Sequence, residues 1–157
     1  MSDLTESERL ALDEALDNEY RAWATYDRVA LDFADAPQFE QLRDIEAGHI
    51  AELQNLCARY GLSVPQNRWL GNVPRYGSVC EACEAGADAA SADSALYARL
   101  RSSTQRADIL EVFRRLEADA GSQKLRALQR CEPLECGQKE LPPRRMTRTR
   151  GSADRAR

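Results

Sequence analysis

From Thr5 to Cys131 the apolar residues recur three and four positions apart in four long runs, and no stretch shows the strict alternation of a half-buried strand. A chain patterned this way buries its apolar surface by packing helix on helix. The first run opens with Thr5 and Glu8, spaced as a capping box, and continues through Leu12, Ala15, Ala22, Tyr26, Ala30 and Phe33 to the breaker at Ala36-Pro37. The second carries Phe39, Leu42, Leu53, Leu56 and Tyr60 on one stripe and stops at Gly61. Residues 61–78 hold two prolines and three glycines without a helical period, which reads as a long connection crossing the bundle. A third helix is expected from about Val79 to Ser102, with Cys83, Gly86, Ala90, Tyr97 and Leu100 inward, and a fourth from about Asp108 to Cys131, with Ile109, Phe113, Leu116, Ala120 and Ala127 inward. The expectation is an all-α four-helix bundle over residues 1–136: two antiparallel helical hairpins joined by one long crossover.

Charge divides the chain in two. Residues 137–157 hold seven Lys/Arg against two acids, and residues 1–136 hold 15 against 24, so the body is −9 and the tail +5. The tail has almost nothing to bury and reads as disordered. It suits an acidic partner better than nucleic acid, because it lacks aromatic residues for base stacking. The acidic, helix-like start and the lack of any run near 18 apolar residues point to a soluble, cytoplasmic protein with no membrane partner. A homo-oligomer is left open as a further partner. At 157 residues the chain folds without needing a metal or a disulfide, so a metal would serve function.

Three ionisable residues stand where the core should be. Glu19 continues the stripe of the first helix between Ala15 and Ala22, and Glu46 and His49 continue the second between Leu42 and Leu53. Burying a carboxylate without a partner costs several kcal/mol. Glu-x-x-His puts a carboxylate and an imidazole one turn apart on one face, where both reach the same metal or the same internal salt-bridge network. His49 is the only histidine.

The run NEYRAWATYD, then Glu46-Ala-Gly-His49, VPQNRW, EACEAGADAASADSALYARL and LRALQRC together resemble the ferritin-like superfamily. Within it the chain is most similar to a bacterial and archaeal family related to rubrerythrin. The resemblance spans about residues 4–131. It implies a di-iron carboxylate centre with oxidoreductase chemistry of iron and oxygen, iron as the cofactor, and Tyr26 as a catalytic residue near the metals. Glu19 would come from the first helix and Glu46 with His49 from the second. The third helix should add a Glu, but has Ala89, Ala90 and Ser91; the fourth should add Glu-x-x-His, but has Gly121 and Lys124. Asp93 lies on the third helix's seam as a stand-in ligand, with Asp88 and Glu117 as more distant ones. A full di-iron centre is therefore not expected. The choice is between one divalent ion at Glu19, Glu46, His49 and Asp93 and a non-catalytic interaction module in which Lys124 replaces the metal's charge.

Cys80-x-x-Cys83 opens the third helix, while Cys131 and Cys136 lie at the end of the fourth, so all four thiols gather at one end of the bundle. A four-thiolate zinc site, a Cys83–Cys131 disulfide and unlinked thiols are all compatible with that spacing. Cys57 falls at the opposite end.

Overall fold

A computed structural model of the chain describes residues 3–136, with side chains at 3–131 and 136. The basic tail expected to be disordered lies outside the described residues. The architecture is all-helical: α1 Glu6–Asp32, α2 Gln38–Arg59, α3 Val79–Leu100, α4 Ala107–Asp119 and α5 Leu125–Cys136, with a π-helical turn, Ala120–Lys124, joining α4 to α5. No strand occurs among the described residues, and no described helix is long and apolar enough to cross a membrane.

The helix boundaries follow local chemistry. Thr5 caps α1: its hydroxyl accepts from Glu8 N–H at 3.2 Å, and the Glu8 carboxylate accepts from Thr5 N–H at 2.9 Å. The same carboxylate takes the Thr104 hydroxyl at 2.7 Å and the Arg106 guanidinium at 3.2 Å, tying the start of α1 to the turn before α4. α1 stops at Asp32, short of the expected breaker at Ala36-Pro37, because the backbone turns extended at Phe33. Gly61 takes φ +67° just past α2, a conformation glycine adopts without a Cβ clash. Ser78 caps α3, accepting from Glu81 N–H at 3.1 Å.

α1 and α2 pack antiparallel, bridged by Asp27–Arg43 at 2.9 Å and by Gln54 to the Tyr20 hydroxyl at 3.2 Å. α3 lies antiparallel to the α4–α5 rod, with Cys83 bonded to Cys131 and Lys124 beside Asp93. Residues 61–78 run along α1: Tyr20 donates to the Pro65 carbonyl at 2.8 Å, Arg68 pairs with Asp17 at 2.7 Å and Arg75 with Asp32 at 2.6 Å. Trp69 packs there, donating to Asp17 at 3.0 Å.

The apolar interior falls into two clusters. One gathers Leu12, Leu16, Leu53, Tyr97, Ile109, Phe113 and Leu116. The other gathers Tyr26, Phe39, Leu42, Ala90, Leu128 and Cys131. The buried polar residues Glu19, Glu46, His49, Asp93 and Lys124 occupy the helix stretches between the two sets. The fourth-helix stripe departs from expectation at one point: Leu128 is buried where Ala127 was expected, and Gly121 is exposed. The π turn is the reason, since it inserts one residue into the helical period after Ala120.

Candidate functional site

The period of α1 and α2 carries Glu19, Glu46 and His49 to one point, and all three are buried. His49 Nδ1 lies 3.2 Å from Glu19 Oε2 and 3.5 Å from Glu46 Oε2. Its other nitrogen, Nε2, meets Asp119 Oδ2 at 2.8 Å from the end of α4. The Tyr97 hydroxyl donates to the second oxygen of Glu19. From the π turn, Lys124 enters with no exposure to solvent and sets its Nζ 2.8 Å from Glu46 Oε1 and 2.9 Å from Asp93 Oδ2. Asp93 is held on its other oxygen by Asn18 Nδ2 at 2.9 Å.

These neighbours set the protonation states. Burial raises the Glu19 carboxyl, but contact with Glu46 and the charges of Lys124 and His49 bring it well below the usual carboxylate range. Burial and the Glu19 charge push Glu46 up to about 8. Burial would lower His49, yet its bonds to Glu19 and Glu46 outweigh this and raise it to about 10. Burial likewise disfavours the Lys124 charge, and Glu19, Glu46 and Asp93 outweigh it, holding the ammonium well above the ordinary lysine range. At neutral pH the Glu19 carboxylate therefore faces Lys124 and His49 as cations, and Glu46 keeps its proton. Both cations thus meet carboxylates without any added ion: Lys124 meets Glu46 and Asp93, and His49 meets Glu19 and Asp119.

The donor geometry suits a single cation. Ligands about 2.1 Å from a cation stand roughly 3.0–3.4 Å apart at octahedral and tetrahedral angles. The 3.2 Å separation from Glu19 to His49 Nδ1 falls within that range and the 3.5 Å separation from Glu46 lies just beyond it. Asp119 on Nε2 supplies the second carboxylate that orients a metal-binding histidine. Neither Glu46 oxygen has a hydrogen-bond partner of good geometry, so this buried carboxylate has free lone pairs. Glu19, Glu46 and His49 therefore fit one divalent cation. A pair of metals does not fit, because Lys124 holds the far side of Glu46 and the third helix offers Ala90 in an apolar setting.

No family model, curated protein or solved structure matches this chain.

Among the other residues singled out in the sequence, Asp93 is buried but belongs to the Lys124 pair and not to the Glu19–Glu46–His49 trio. Tyr26 is buried close by and makes no hydrogen bond to that trio. Asp88 is exposed and Glu117 is paired with Arg101 at 2.8 Å, so neither enters the centre. Gly121 is turned outward, with Ser94 the nearest neighbour to a side chain built there. Asp119 was missed. Its only signal was that a histidine committed at one nitrogen needs a partner for the other. The cysteines form two disulfides, Cys80–Cys136 with α-carbons 5.0 Å apart and Cys83–Cys131 at 6.1 Å, in place of a four-thiolate zinc site or free thiols. Cys57 is free and buried.

Proposed function

We propose that this chain is a ferritin-like cation-binding protein whose centre takes one divalent ion, the second position being filled permanently by the Lys124 ammonium. One observation carries the reading: Glu46 spans two cation positions, with Oε1 on Lys124 at 2.8 Å and Oε2 facing His49 Nδ1 at 3.5 Å. A carboxylate bridging two metals would be held the same way. Charge agrees. One divalent ion in place of the protons on Glu46 and His49 leaves the net charge of the interior unchanged, whereas a second would add two positive charges to a dry site.

The ferritin-like crossover is part of this proposal. It is supported by the contacts of residues 61–78 along α1, from Asp17 to Asp32, and by the antiparallel pairing within each hairpin. Iron(II) is the ion the resemblance implies, and it would supply Lewis-acid or one-electron chemistry. Glu19, Glu46 and His49 would hold it, Asp119 would orient the imidazole, and Tyr97 would fix Glu19. Concerted chemistry at an iron pair is not what these residues are arranged for. The two disulfides favour an oxidising compartment over the cytoplasm expected from the sequence.

A second reading, a metal-free interaction module, is favoured by the ion pairs that Lys124 and His49 already make with the carboxylates of the centre. Anaerobic titration with iron(II) and with manganese(II) separates the two. One equivalent bound by the wild type supports the proposal, none favours the metal-free module, and two tight equivalents overturn the role given to Lys124.

A further inference from the structure

A cavity of about 240 Å³ opens between α1 and α3. Its α3 wall is Ala82, Ala85, Gly86 and Ala89, and opposite stand Ala22 and Val29 of α1, with the rings of Tyr26, Phe39 and Tyr76 closing the slot. Small residues on α3 leave the space open, and three aromatic residues line it. An apolar cavity of about 150 Å³ is enough to hold benzene. This one takes one aromatic ring with a substituent.

Its polar groups define the ligand further. Tyr26 is 4% exposed, lines the cavity, and has a hydroxyl without a hydrogen-bond partner among the described residues. Its oxygen is not one of the fully enclosed unpartnered atoms, so it keeps contact with solvent at the cavity and is free to exchange water for a ligand oxygen. The charged lining residues offer nothing comparable. Asp93 is already engaged on both oxygens, by Asn18 and by Lys124, and Arg21 stands at the exposed rim. A charged ligand group in the deep part would be desolvated with no free counter-charge.

We infer that this cavity binds a small, neutral, oxygen-bearing aromatic molecule, its ring in the slot between α1 and α3 and its oxygen on the Tyr26 hydroxyl. The inference does not depend on the metal reading, because none of the cavity groups it uses is a proposed ligand.

The test uses the disulfide-intact, metal-free full chain with phenol, toluene and benzoate as probes. Alanine-methyl NMR of the wild type should show phenol shifting Ala22, Ala82, Ala85 and Ala89, with a dissociation constant of about 0.1–1 mM. Toluene should bind several-fold more weakly and benzoate more weakly still. Tyr26→Phe should weaken phenol about fivefold to tenfold while leaving toluene unchanged, a difference that loss of fold cannot produce. Ala85→Leu, which fills the slot and leaves Tyr26 intact, should abolish binding of both. Equal binding of phenol and toluene overturns the inference, as does phenol shifting methyls elsewhere, or no binding by the wild type.

Discussion

Lys124→Met keeps the length of the side chain and removes its charge, which makes it the sharpest probe of the centre. The wild-type ammonium is fully buried, 2.8 Å from Glu46 and 2.9 Å from Asp93. Breaking a buried pair by deleting one member costs about 3–5 kcal/mol, because the remaining charge stays desolvated. Here the low end applies. Asp93 keeps its hydrogen bond from Asn18, and Glu46, pushed up to about 8, already holds a proton at neutral pH. A chain of this size loses about 2–4 °C of melting temperature per kcal/mol, so the variant should melt about 6–12 °C below wild type by far-ultraviolet circular dichroism. A divalent cation should restore much of the loss. At a hundred times its dissociation constant a bound ion adds about 2.7 kcal/mol, and without Lys124 a second ion finds Glu46 and Asp93 vacant. Manganese(II), added under argon, should therefore stabilise the variant more than the wild type. An unchanged melting temperature would refute the pairing, and equal stabilisation of both proteins would refute the idea that Lys124 holds a cation position.

Three further outcomes are expected. Metal binding should tighten as pH rises toward about 8 and continue to tighten toward about 10, because protons held by Glu46 and His49 must leave; calorimetry in buffers of different ionisation enthalpy should record their release. Burial raises the Glu8 carboxyl, but bonds from Thr5, Thr104 and Arg106 lower it to about 2 from 4.5; its stabilisation is complete above pH 4.5 and lost as pH falls toward 2, so Glu8→Gln should cost about 1–3 kcal/mol at pH 7 and flatten the acid limb of the denaturation profile. The disulfides close overlapping loops with sequence separations of 56 and 48; full reduction should cost about 4 kcal/mol, whereas Cys80→Ser with Cys136→Ser should cost far less, because Cys83–Cys131 already holds nearly the same loop.

The readable parts of this protein are those where side-chain identity and helical period act together. The all-helical architecture, the caps at Thr5 and Gly61, and the meeting of Glu19, Glu46 and His49 follow from spacing alone, since a residue on a buried stripe has one direction to face. Lys124 was legible for the same reason. Its position was that of an expected ligand, and four positions beyond the buried Ala120 it remains on the inner face. Leu128 and the outward turn of Gly121 were not legible, because they depend on a π turn whose one-residue insertion is decided by packing; Asp119 precedes that turn, and only the second nitrogen of His49 called for it. The Cys83–Cys131 linkage was among those the sequence named, but the choice between linkages and the Cys80–Cys136 bond was not legible, as four sulfurs at one end of a bundle allow more than one arrangement.

The layer of buried charge between the two apolar clusters also decides how the hairpins align. A slip of one hairpin by a single helical turn is about 5.4 Å. Above and below the layer such a slip exchanges one leucine or alanine for another, which apolar packing tolerates at modest cost. Within the layer it separates Lys124 from Glu46 and His49 from Asp119, pairs that both lie at 2.8 Å across the two hairpins. Each would then face hydrocarbon, at several kcal/mol per group. The interior carries most of its stabilising area in the leucines and aromatics, but its registration rests on five polar side chains.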